Sequence, residues 1–290
     1  MNILITGKRG FLARELSYFF REHNVICMGR KSLDFTDAAA VESFFNINGY
    51  VDVVMHTAVD GGKRIRQDAF DTFSNNISMF SNLLQHKDKY GLMFCFGSGA
   101  EYDRQHPVVN VKEDEVIKCY PKDYYGLSKN IISQEMTKQG VLDSSPIFVN
   151  MRLFGCFGAG EDSQRFIKNS MNRVLEGKSI TIKNNMEMDF FYVQDLCTVI
   201  DFYLKNIYNL PLPTEVNMVY EKKLQLKEIA NIIKTVSGSS VPVATKIKGK
   251  LGYYTGDGTV LKNLGIPLKG LTRGIEEMWE CLSLKKRYLN

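Results

Sequence analysis

Short runs of apolar and β-branched residues alternate with stretches of helical period through the first half of the chain. The runs predict strands, and apolar residues spaced three and four positions apart predict amphipathic helices. Alternation of the two is typical of βαβ units and a parallel sheet. The predicted strands are Asn2–Thr6, Asn24–Met28, Val51–Thr57, Leu92–Gly97, Ile147–Leu153 and a short return strand at Val216–Val219. The predicted helices are Phe11–Glu22, Ala38–Asn46, Asp71–Lys87, Tyr124–Gln139 and Val193–Lys205.

A glycine turn follows the first predicted strand, where residues 6–13 read TGKRGFLA. Gly7 permits a tight turn, Gly10 lets backbone N–H groups approach a pyrophosphate, and small Ala13 allows the helix to pack closely. Two glycines at this spacing are a weak signal alone, but their place at the first strand–helix junction predicts a dinucleotide site. The other candidate cofactor ligands in this loop are Arg9, Phe11 and Leu12.

The second predicted strand ends without a carboxylate. A site that prefers NAD places Asp or Glu there to accept hydrogen bonds from the ribose hydroxyls. Here the strand is followed by Arg30, Lys31 and Ser32, which can pair with a 2′-phosphate, with Arg9 in support. We therefore predict NADP(H) rather than NAD(H), against the alternative that Arg30 and Lys31 form only a solvated loop.

Composition is that of an ordinary soluble globular protein, with 44% hydrophobic and 24% charged residues among 290. No apolar run approaches the roughly 20 residues that span a bilayer, and no signal-peptide pattern precedes the first strand, so we expect a cytoplasmic protein that binds no membrane. The formal charge of +5 is dispersed and does not indicate nucleic-acid binding. The cysteines stand singly, without a CxxC pair, which predicts reduced thiols and no metal site.

Tyr125 and Lys129 lie four positions apart in the fourth predicted helix, so both side chains project from one face. An ammonium group beside a phenol favours the phenolate, which makes tyrosine a usable proton donor or acceptor near neutral pH. Lys129 could also hold the nicotinamide ribose. Ser98 follows the fourth predicted strand, where its hydroxyl could orient a carbonyl group for reduction. These three are the candidate catalytic residues.

The order of the glycine loop, Ser98 and the Tyr125/Lys129 pair resembles the extended short-chain dehydrogenase/reductase family, which includes NAD-dependent epimerases and dehydratases. The resemblance covers nearly the whole chain and includes the segment DFFYVQD at 189–195. It implies a nucleotide-diphosphate-sugar substrate, hydride exchange at the sugar C4, and a homodimer packed through two helices per subunit. It also implies contacts to the adenine or the cofactor cleft from Asp34, Phe35, Thr57, Ala58, Val59 and Asn76.

The fold class expected on these grounds is α/β, with a doubly wound parallel Rossmann sheet and a smaller α/β substrate-binding lobe. The NADP-binding domain would comprise residues 1–156 and roughly 189–220. Residues 157–188 and 221–290 would form the nucleotide-sugar-binding lobe, as shorter elements inserted into and appended to the first domain.

Within the family, the segments VDGGK at 59–63 and GSGAEY at 97–102 are most similar to GDP-fucose synthase and related 4-keto-sugar reductases. Those enzymes use a Cys two residues after the catalytic Ser and a later His to epimerise C3 and C5. Ala100 stands at the first of these positions, and the segment EDSQRF at 161–166 has no His. The resemblance therefore implies reduction without epimerisation. The candidate substrate contacts after Ser98 are Gly99, Ala100 and Glu101.

Two further positions depart from the family pattern. The Arg before the Asp-Phe of the second half is Met188 here, and the Asn after the fifth strand is Gly155. Because both positions help to hold substrate in relatives, other groups would bind it in this chain. The candidates for the diphosphate are Lys168, Arg173 and Arg273, each of which is otherwise a solvated surface charge.

The favoured hypothesis is NADPH-dependent reduction of the C4 keto group of a nucleotide-linked 6-deoxyhexose or heptose. A second hypothesis is a nucleotide-sugar 4-epimerase or dehydratase that recycles a tightly held cofactor, although a 4,6-dehydratase would want an Asp before Glu101, where Ala100 stands. A third is a non-catalytic NADP-sensing protein on the same fold. The nucleotide (GDP, CDP or dTDP) stays open.

Overall fold

A computed structural model describes residues 1–62, 68–142 and 145–289. Its contacts divide the chain into two compact units. Unit 1 comprises 1–106, 111–152 and 211–217, and unit 2 comprises 107–110, 153–210 and 218–290. Residues 189–210, expected in the nucleotide-binding domain, have their contacts within unit 2. The assignment of a cofactor role and a substrate role to two domains stays a prediction.

The secondary structure is given in chain order. The strands are β1 Asn2–Thr6, β2 Asn24–Met28, β3 Val51–His56, β4 Tyr90–Ser98, β5 Val108–Val111, β6 Ile147–Leu153, β7 Cys156–Phe157, β8 Ile180–Met188, β9 Phe191–Tyr192, β10 Glu215–Met218 and β11 Val243–Gly256. The helices are α1 Phe11–Phe19, α2 Ala38–Asn48, α3 Phe70–Leu84, α4 Tyr124–Leu142, α5 Phe166–Leu175, α6 Val193–Asn206, α7 Leu226–Ser237, α8 Thr259–Asn263 and α9 Gly270–Leu289. Short 3₁₀ turns cover Lys87–Lys89, Gly99–Tyr102 and Glu113–Lys118.

A six-stranded sheet with the order β10-β6-β4-β3-β1-β2 forms the centre of unit 1. β1 pairs in parallel with β2 and β3, and β3 pairs in parallel with β4. Parallel neighbours need crossover connections, which the helices between these strands supply. Every residue of β4 is buried, as expected for a strand covered on both faces.

The core on one side of this sheet explains why the intervening segments are helical. Val41 and Phe45 of α2 and Phe80 and Leu83 of α3 are buried in one cluster with Met93 of β4. Their spacing of three or four positions puts each pair on a single face of its helix. The predicted α/β fold with a doubly wound parallel sheet is confirmed, and the return strand, β10, lies beside β6.

Unit 2 contains two small sheets. β5, β11 and β8 form one of them, in which β11 runs parallel to β8 with an irregularity between Ile247 and Gly252. β7 and β9 form the other as a parallel pair. Within the described residues, no helix is both long enough and apolar enough to cross a membrane.

Candidate cofactor and catalytic site

The turn between β1 and α1 requires glycine. Gly7 has a φ of +78°, and a Cβ there would lie 2.9 Å from the Ala58 Cα, so both the backbone conformation and the space exclude a side chain. Gly10 caps α1, and its N–H donates to the Gly7 carbonyl at 2.7 Å. No side chain caps this helix. Its first turn therefore presents backbone N–H groups, the arrangement that binds phosphate groups at helix N-termini.

The ends of β1 and β3 are locked side by side. Thr6 Oγ1 accepts the Ala58 N–H at 2.8 Å, and Thr57 Oγ1 donates to the Thr6 carbonyl at 2.5 Å. The Thr6 hydroxyl also contacts Nδ1 of His56 at 3.0 Å. These bonds hold Ala58 against Gly7 and so fix the distance between the glycine turn and the end of β3. Thr57 and Ala58 thus lie beside the glycine turn, and their contact with a cofactor stays a prediction.

A pocket of about 190 Å³ opens beside this turn. Leu33, Phe35 and Met79 give it apolar walls, which suits a planar base such as adenine. The structure brings six predicted cofactor residues to this pocket: Gly7, Arg30, Asp34, Phe35, Ala58 and Val59. The glycine cradle, the uncapped helix and the apolar pocket together fit a dinucleotide.

Arg30 lies at the polar rim of the pocket with its side chain 67% exposed, and its Nε is 3.4 Å from Asp34 Oδ2. Asp34 Oδ1 accepts the Thr36 N–H at 3.0 Å and the Thr36 hydroxyl at 2.8 Å. These hydrogen bonds, the backbone one first, lower the pKa of the Asp34 carboxyl. Asp34 is therefore occupied by protein partners, and Arg30 is the exposed charge beside it.

The remaining predicted cofactor residues lie outside the pocket lining. Arg9 and Lys31 are exposed, and Phe11 and Leu12 belong to the first turn of α1. Ser32 Oγ accepts the Gly29 N–H and donates to the Gly29 carbonyl, so it shapes the loop after β2.

Asn76 is buried, and both the oxygen and the nitrogen of its side-chain amide form hydrogen bonds within the protein. Its Oδ1 accepts the Asp60 N–H at 2.8 Å, while its Nδ2 donates to the Asp60 carbonyl at 3.1 Å and to Ser128 Oγ at 3.0 Å. Asn76 thus ties the loop after β3 to α4. A direct contact from Asn76 to the cofactor stays a prediction.

The candidate catalytic helix, α4, is anchored at its first turn. Asp123 Oδ1 accepts the Gly126 N–H at 2.8 Å and pairs with Arg104 Nη2 at 2.6 Å. A Cβ on Gly126 would lie 2.7 Å from the Ala100 carbonyl oxygen. The start of α4 therefore packs directly against the turn that follows Ser98.

Tyr125 lies on this first turn and is half-buried. A Cβ on Gly62 would lie 2.9 Å from its ring carbons Cε2 and Cζ, and the Arg104 guanidinium carbon is 5.7 Å from the ring centre. The phenol is thus held between the loop after β3 and a cation. Lys63, which belongs to the predicted segment 59–63, lies outside the described residues.

Lys129 lies over the carboxyl end of the sheet. Its side chain is buried, and Nζ donates to the Phe96 carbonyl near the end of β4 at 2.9 Å. Burial, helped by the Lys129 charge, lowers the pKa of His56 to about 3, so this imidazole is neutral. Burial likewise raises the pKa of Cys95 to about 12, against the opposing charge of Lys129. The His56 imidazole and the Cys95 thiol near Lys129 are therefore uncharged.

Ser98 is the last residue of β4 and the N-cap of the 3₁₀ turn Gly99–Tyr102. Its Oγ accepts the Ala100 N–H at 3.2 Å, which leaves the hydroxyl proton available for a ligand. Because α4 packs against this same turn, the structure brings Ser98, Tyr125 and Lys129 to one region of unit 1, as their predicted roles require.

Glu101, a predicted substrate contact, is directed into the protein interior, and its contact with a substrate stays a prediction. Its side chain has no solvent exposure, and its two oxygens accept the Ser98 N–H at 2.8 Å and Arg152 Nε at 2.5 Å. The neighbouring Ala100 is also fully buried, as is Gly99. Sequence reasoning placed these residues correctly after Ser98 but could not show that the 3₁₀ turn directs them inward.

The three cations predicted for the diphosphate all have protein partners in unit 2. Lys168 Nζ donates to the carbonyls of Ala159 and Glu161 at 2.8 and 2.6 Å. Arg173 Nε donates to the Ser179 carbonyl at 2.6 Å. Arg273 pairs with Glu276 at 2.9 Å and with Glu277 at 3.3 Å. These bonds compete with an anionic ligand, and the substrate role of all three cations stays a prediction.

Some residues of the site were not predicted. Gly29, Leu33, Asp60 and Met79 line the pocket, and the position of Gly29 directly after β2 was a signal that could have found it. Arg104, beside Tyr125, had no such signal because it lies in an irregular loop 21 positions before the phenol.

Comparison with family models matches the NAD dependent epimerase/dehydratase family over residues 3–218. The chain is similar to the solved GDP-mannoheptose C4 reductase from Campylobacter jejuni with NADP bound, with 20% identity, 96% of this chain and 97% of that chain covered, and a TM-score of 0.81. It is also similar to UDP-glucose 4-epimerase of Thermus thermophilus with NAD, with 20% identity, 97% and 98% covered, and a TM-score of 0.76.

A third similar structure is a GDP-L-fucose synthetase from Naegleria fowleri, with 14% identity, 99% of this chain and 94% of that chain covered, and a TM-score of 0.80. No curated protein sequence matches the chain. At these identities the structural likeness establishes the fold.

Proposed function

The chain belongs to the NAD dependent epimerase/dehydratase family, and we propose that it reduces the C4 keto group of a nucleotide-diphosphate-linked sugar with NADPH, without epimerisation at C3 or C5. The observation that carries this proposal is the packing of the start of α4 against the turn after Ser98, where a Cβ on Gly126 would lie 2.7 Å from the Ala100 carbonyl. This contact brings a phenol, an ammonium and a hydroxyl to one edge of the sheet.

The cofactor would be held by backbone and side-chain groups of unit 1. The N–H groups at the start of α1 would bind the pyrophosphate, and the pocket walls Leu33, Phe35 and Met79 would hold the adenine. Arg30 pairs with the 2′-phosphate, because a doubly charged phosphate attracts an exposed guanidinium more strongly than a single carboxylate does. This pairing is the reason for NADP(H) over NAD(H).

NADPH, when bound, supplies a hydride for the C4 carbonyl carbon. Ser98 donates a hydrogen bond from its hydroxyl to the carbonyl oxygen, and Tyr125 transfers its phenol proton to that oxygen as negative charge develops. Lys129 stabilises the resulting phenolate by its positive charge, since a cation close to a phenol favours the ionised form. Its bond to the Phe96 carbonyl fixes the direction of this ammonium group.

Ala100 supports reduction without epimerisation. Epimerisation next to the ketone needs a side chain that can remove a proton from carbon, and the Ala100 methyl group is both inert and fully buried. The similar structures named as a C4 reductase and a fucose synthetase, both of GDP sugars, favour GDP as the nucleotide and a heptose or a 6-deoxyhexose as the sugar. Unit 2 would supply the nucleotide-sugar contacts.

A homodimer through α3 and α4 belongs to the same proposal. Phe70 on α3 is 60% exposed, and Tyr124 on α4 is 41% exposed; their rings meet edge to face at 5.9 Å. Ile131, seven positions after Tyr124, continues the same face of α4 and is 40% exposed. An apolar stripe of this kind on two packed helices suits a second copy of the chain.

The direct test is NADPH consumption with GDP-, CDP- and dTDP-linked 4-keto sugars. The proposal requires one NADPH oxidised for each sugar reduced. Interconversion of the corresponding 4-hydroxy sugars without net loss of NADPH would instead establish a 4-epimerase, the alternative that the similarity to the Thermus thermophilus enzyme favours. Purified protein that turns over none of these sugars, while still binding NADPH, would support the NADP-sensing alternative.

The matched pair Tyr125→Phe and Tyr124→Phe tests the proposed proton donor. Loss of a general acid lowers kcat by about 10²- to 10⁴-fold, so we expect that loss for Tyr125→Phe with NADPH binding retained. Tyr124 is more exposed and packs on Phe70, so Tyr124→Phe should change kcat less than about twofold. Equal effects of the two substitutions would remove Tyr125 from the mechanism.

A further inference from the structure

The hydrogen bonds around Ser98 lead to a buried group of charges behind the proposed catalytic residues. Glu101 Oε1 accepts the backbone N–H of Ser98 at 2.8 Å, and its Oε2 accepts Arg152 Nε at 2.5 Å. Neither charged side chain has any solvent exposure. The Glu101 carboxylate therefore links the backbone of Ser98 to a guanidinium on β6.

Arg152 connects the same carboxylate to α4. Its Nη2 donates to Ser133 Oγ at 2.6 Å and also pairs with Glu215 on β10. Ser133 lies on α4 one helical turn after Lys129. The guanidinium thus joins the end of β4 to the helix that carries the proposed proton donor.

Asn130 makes a second connection between the turn and the helix. Its Nδ2 donates to the Glu101 carbonyl at 3.0 Å and also contacts the carbonyls of Val116 and Cys119 at 3.1 and 3.3 Å. Asn130 is buried and directly follows Lys129 in the chain. Both ends of Glu101, its carboxylate and its carbonyl, are therefore tied to α4.

The space around these groups is closed. A Cβ on Gly97 would lie 2.4 Å from Asn150 Oδ1 and 2.5 Å from Glu101 Oε1. The strand backbone at Gly97 therefore lies directly against the Asn150 and Glu101 side chains, and a larger residue at position 97 would displace them. The Glu101 carboxylate that accepts the Ser98 N–H lies at this close contact.

Stability alone does not explain such a pair. Apolar residues of similar volume replace a buried ion pair at little or no cost in stability, because the desolvation of two charges offsets their attraction. An apolar pair would, however, have no acceptor for the Ser98 N–H, so it could not hold the backbone of Ser98 in the same position. We propose that Glu101 is a positioning residue: anchored by Arg152, it fixes the backbone of Ser98 and thereby aims the Ser98 hydroxyl at the substrate carbonyl. This inference rests on the proposed reductase function.

The test compares Glu101→Leu with Glu101→Gln. Both substitutions keep the approximate size of the side chain, remove the acceptor for Arg152 Nε and leave Arg152 paired with Glu215, but only Gln retains an acceptor for the Ser98 N–H. We expect Glu101→Leu to lower kcat at least about tenfold, which corresponds to an increase of roughly 1.4 kcal/mol in the activation barrier. The KM for the sugar and the Kd for NADPH should stay within about twofold of wild type. Glu101→Gln should restore kcat to within about threefold of wild type.

A double-mutant cycle with Ser98→Ala separates positioning from a general structural effect. If Glu101 acts through the Ser98 hydroxyl, Glu101→Leu lowers kcat less than about twofold in the Ser98→Ala background. Equal losses in both backgrounds would overturn the inference, as would full activity of Glu101→Leu. Should that variant lack a cooperative melt, Glu101→Leu with Arg152→Met takes its place, because an apolar pair can fill the volume of the two charged side chains.

Amide hydrogen exchange distinguishes failure of this inference from failure of the proposed function. The Ser98 N–H should exchange at least about tenfold faster in Glu101→Leu than in Glu101→Gln, whether or not a substrate is known. Unchanged exchange in Glu101→Leu would overturn the positioning role even in an active enzyme. Wild-type protein that consumes no NADPH would overturn the proposed function, and with it the catalytic part of the positioning role.

Discussion

Replacement of Arg30 by Met tests the structural basis of cofactor choice. The Arg30 side chain is 67% exposed, at the rim of the pocket, and its carboxylate partner Asp34 is 3.4 Å away. An exposed ion pair of this kind contributes at most about 1 kcal/mol, whereas a hydrogen bond between a guanidinium and a phosphate contributes about 1.5–3 kcal/mol. The phosphate should therefore draw Arg30 away from Asp34.

Removal of that bond should weaken NADPH binding by about 10- to 100-fold, since 1.4 kcal/mol corresponds to a tenfold change in Kd. NADH lacks the 2′-phosphate, so its Kd should change less than about threefold. Titration calorimetry or quenching of protein fluorescence with each cofactor measures both values. Higher salt should raise the Kd for NADPH more in the wild-type protein than in Arg30→Met, because salt screens the exposed charges.

Arg21→Met is the matched control for this experiment. Arg21 is also an exposed arginine beside a carboxylate, with Glu22 at 3.8 Å, but it does not line the pocket. Its replacement should leave the Kd of both cofactors unchanged. The reasoning would be refuted if Arg30→Met weakened NADPH and NADH equally, or if wild type preferred NADH.

Three further outcomes follow from the structure. Gly7→Ala should abolish NADPH binding and lower the free energy of unfolding by about 1–3 kcal/mol, because its φ is +78° and the new Cβ would lie 2.9 Å from the Ala58 Cα; a variant that binds NADPH normally would contradict this account of the turn. Burial raises the pKa of Glu161 from 4.5 to about 8, so the folded state retains a proton that the unfolded state loses, and the free energy of unfolding falls as pH rises from about 4.5 to 8, by as much as about 5 kcal/mol. Urea unfolding near pH 6 and near pH 9 should show about 3 kcal/mol of this loss for wild type and much less of it for Glu161→Gln; equal losses would exclude Glu161 as the titrating group. Ile131→Asp should convert the proposed dimer to a monomer in light-scattering measurements, whereas a wild-type monomer would refute the helix interface.

The first half of the fold could be predicted from the sequence because its elements carry their own patterns. β1, β2 and β6 coincide with the predicted strands, and α4 begins at Tyr124 as predicted. Strands buried on both faces are nearly continuous apolar runs, and a helix that packs on them shows a period of 3.6. The family and its use of a nicotinamide cofactor, inferred from the glycine loop and the Tyr125/Lys129 pair, are confirmed by the family match.

Unit 2 was harder to predict because its strands are only partly buried. Ile180, Ile182 and Met188 of β8 are buried, but the residues between them are mostly polar or exposed. β11 contains Gly249 and Gly252 and has an irregular register with β8, which obscures the alternation expected of a strand. In a small, partly buried sheet the alternation of apolar and polar residues is too weak to predict the strands from the sequence.

Glu101 shows why site residues could be located but not given roles. Its partner Arg152 is 51 positions away in the chain, and no local pattern indicates that a carboxylate three residues after the proposed catalytic Ser98 turns inward. Lys168 and Arg173 present the same difficulty, because their partners are backbone carbonyls. Composition gives the charge of a residue, whereas its role depends on contacts between distant elements. The NADP preference, the domain roles and the dimer stay predictions.

The most direct test of the central claim follows a labelled hydride. NADPH carrying deuterium at the transferable position of its nicotinamide C4 is incubated with protein and a GDP-linked 4-keto sugar, and the product is analysed by mass spectrometry and NMR. The account predicts one deuterium at the sugar C4 for each NADPH consumed, with C3 and C5 unchanged. A product without deuterium at C4, or one formed while the NADPH concentration stays constant, would contradict it.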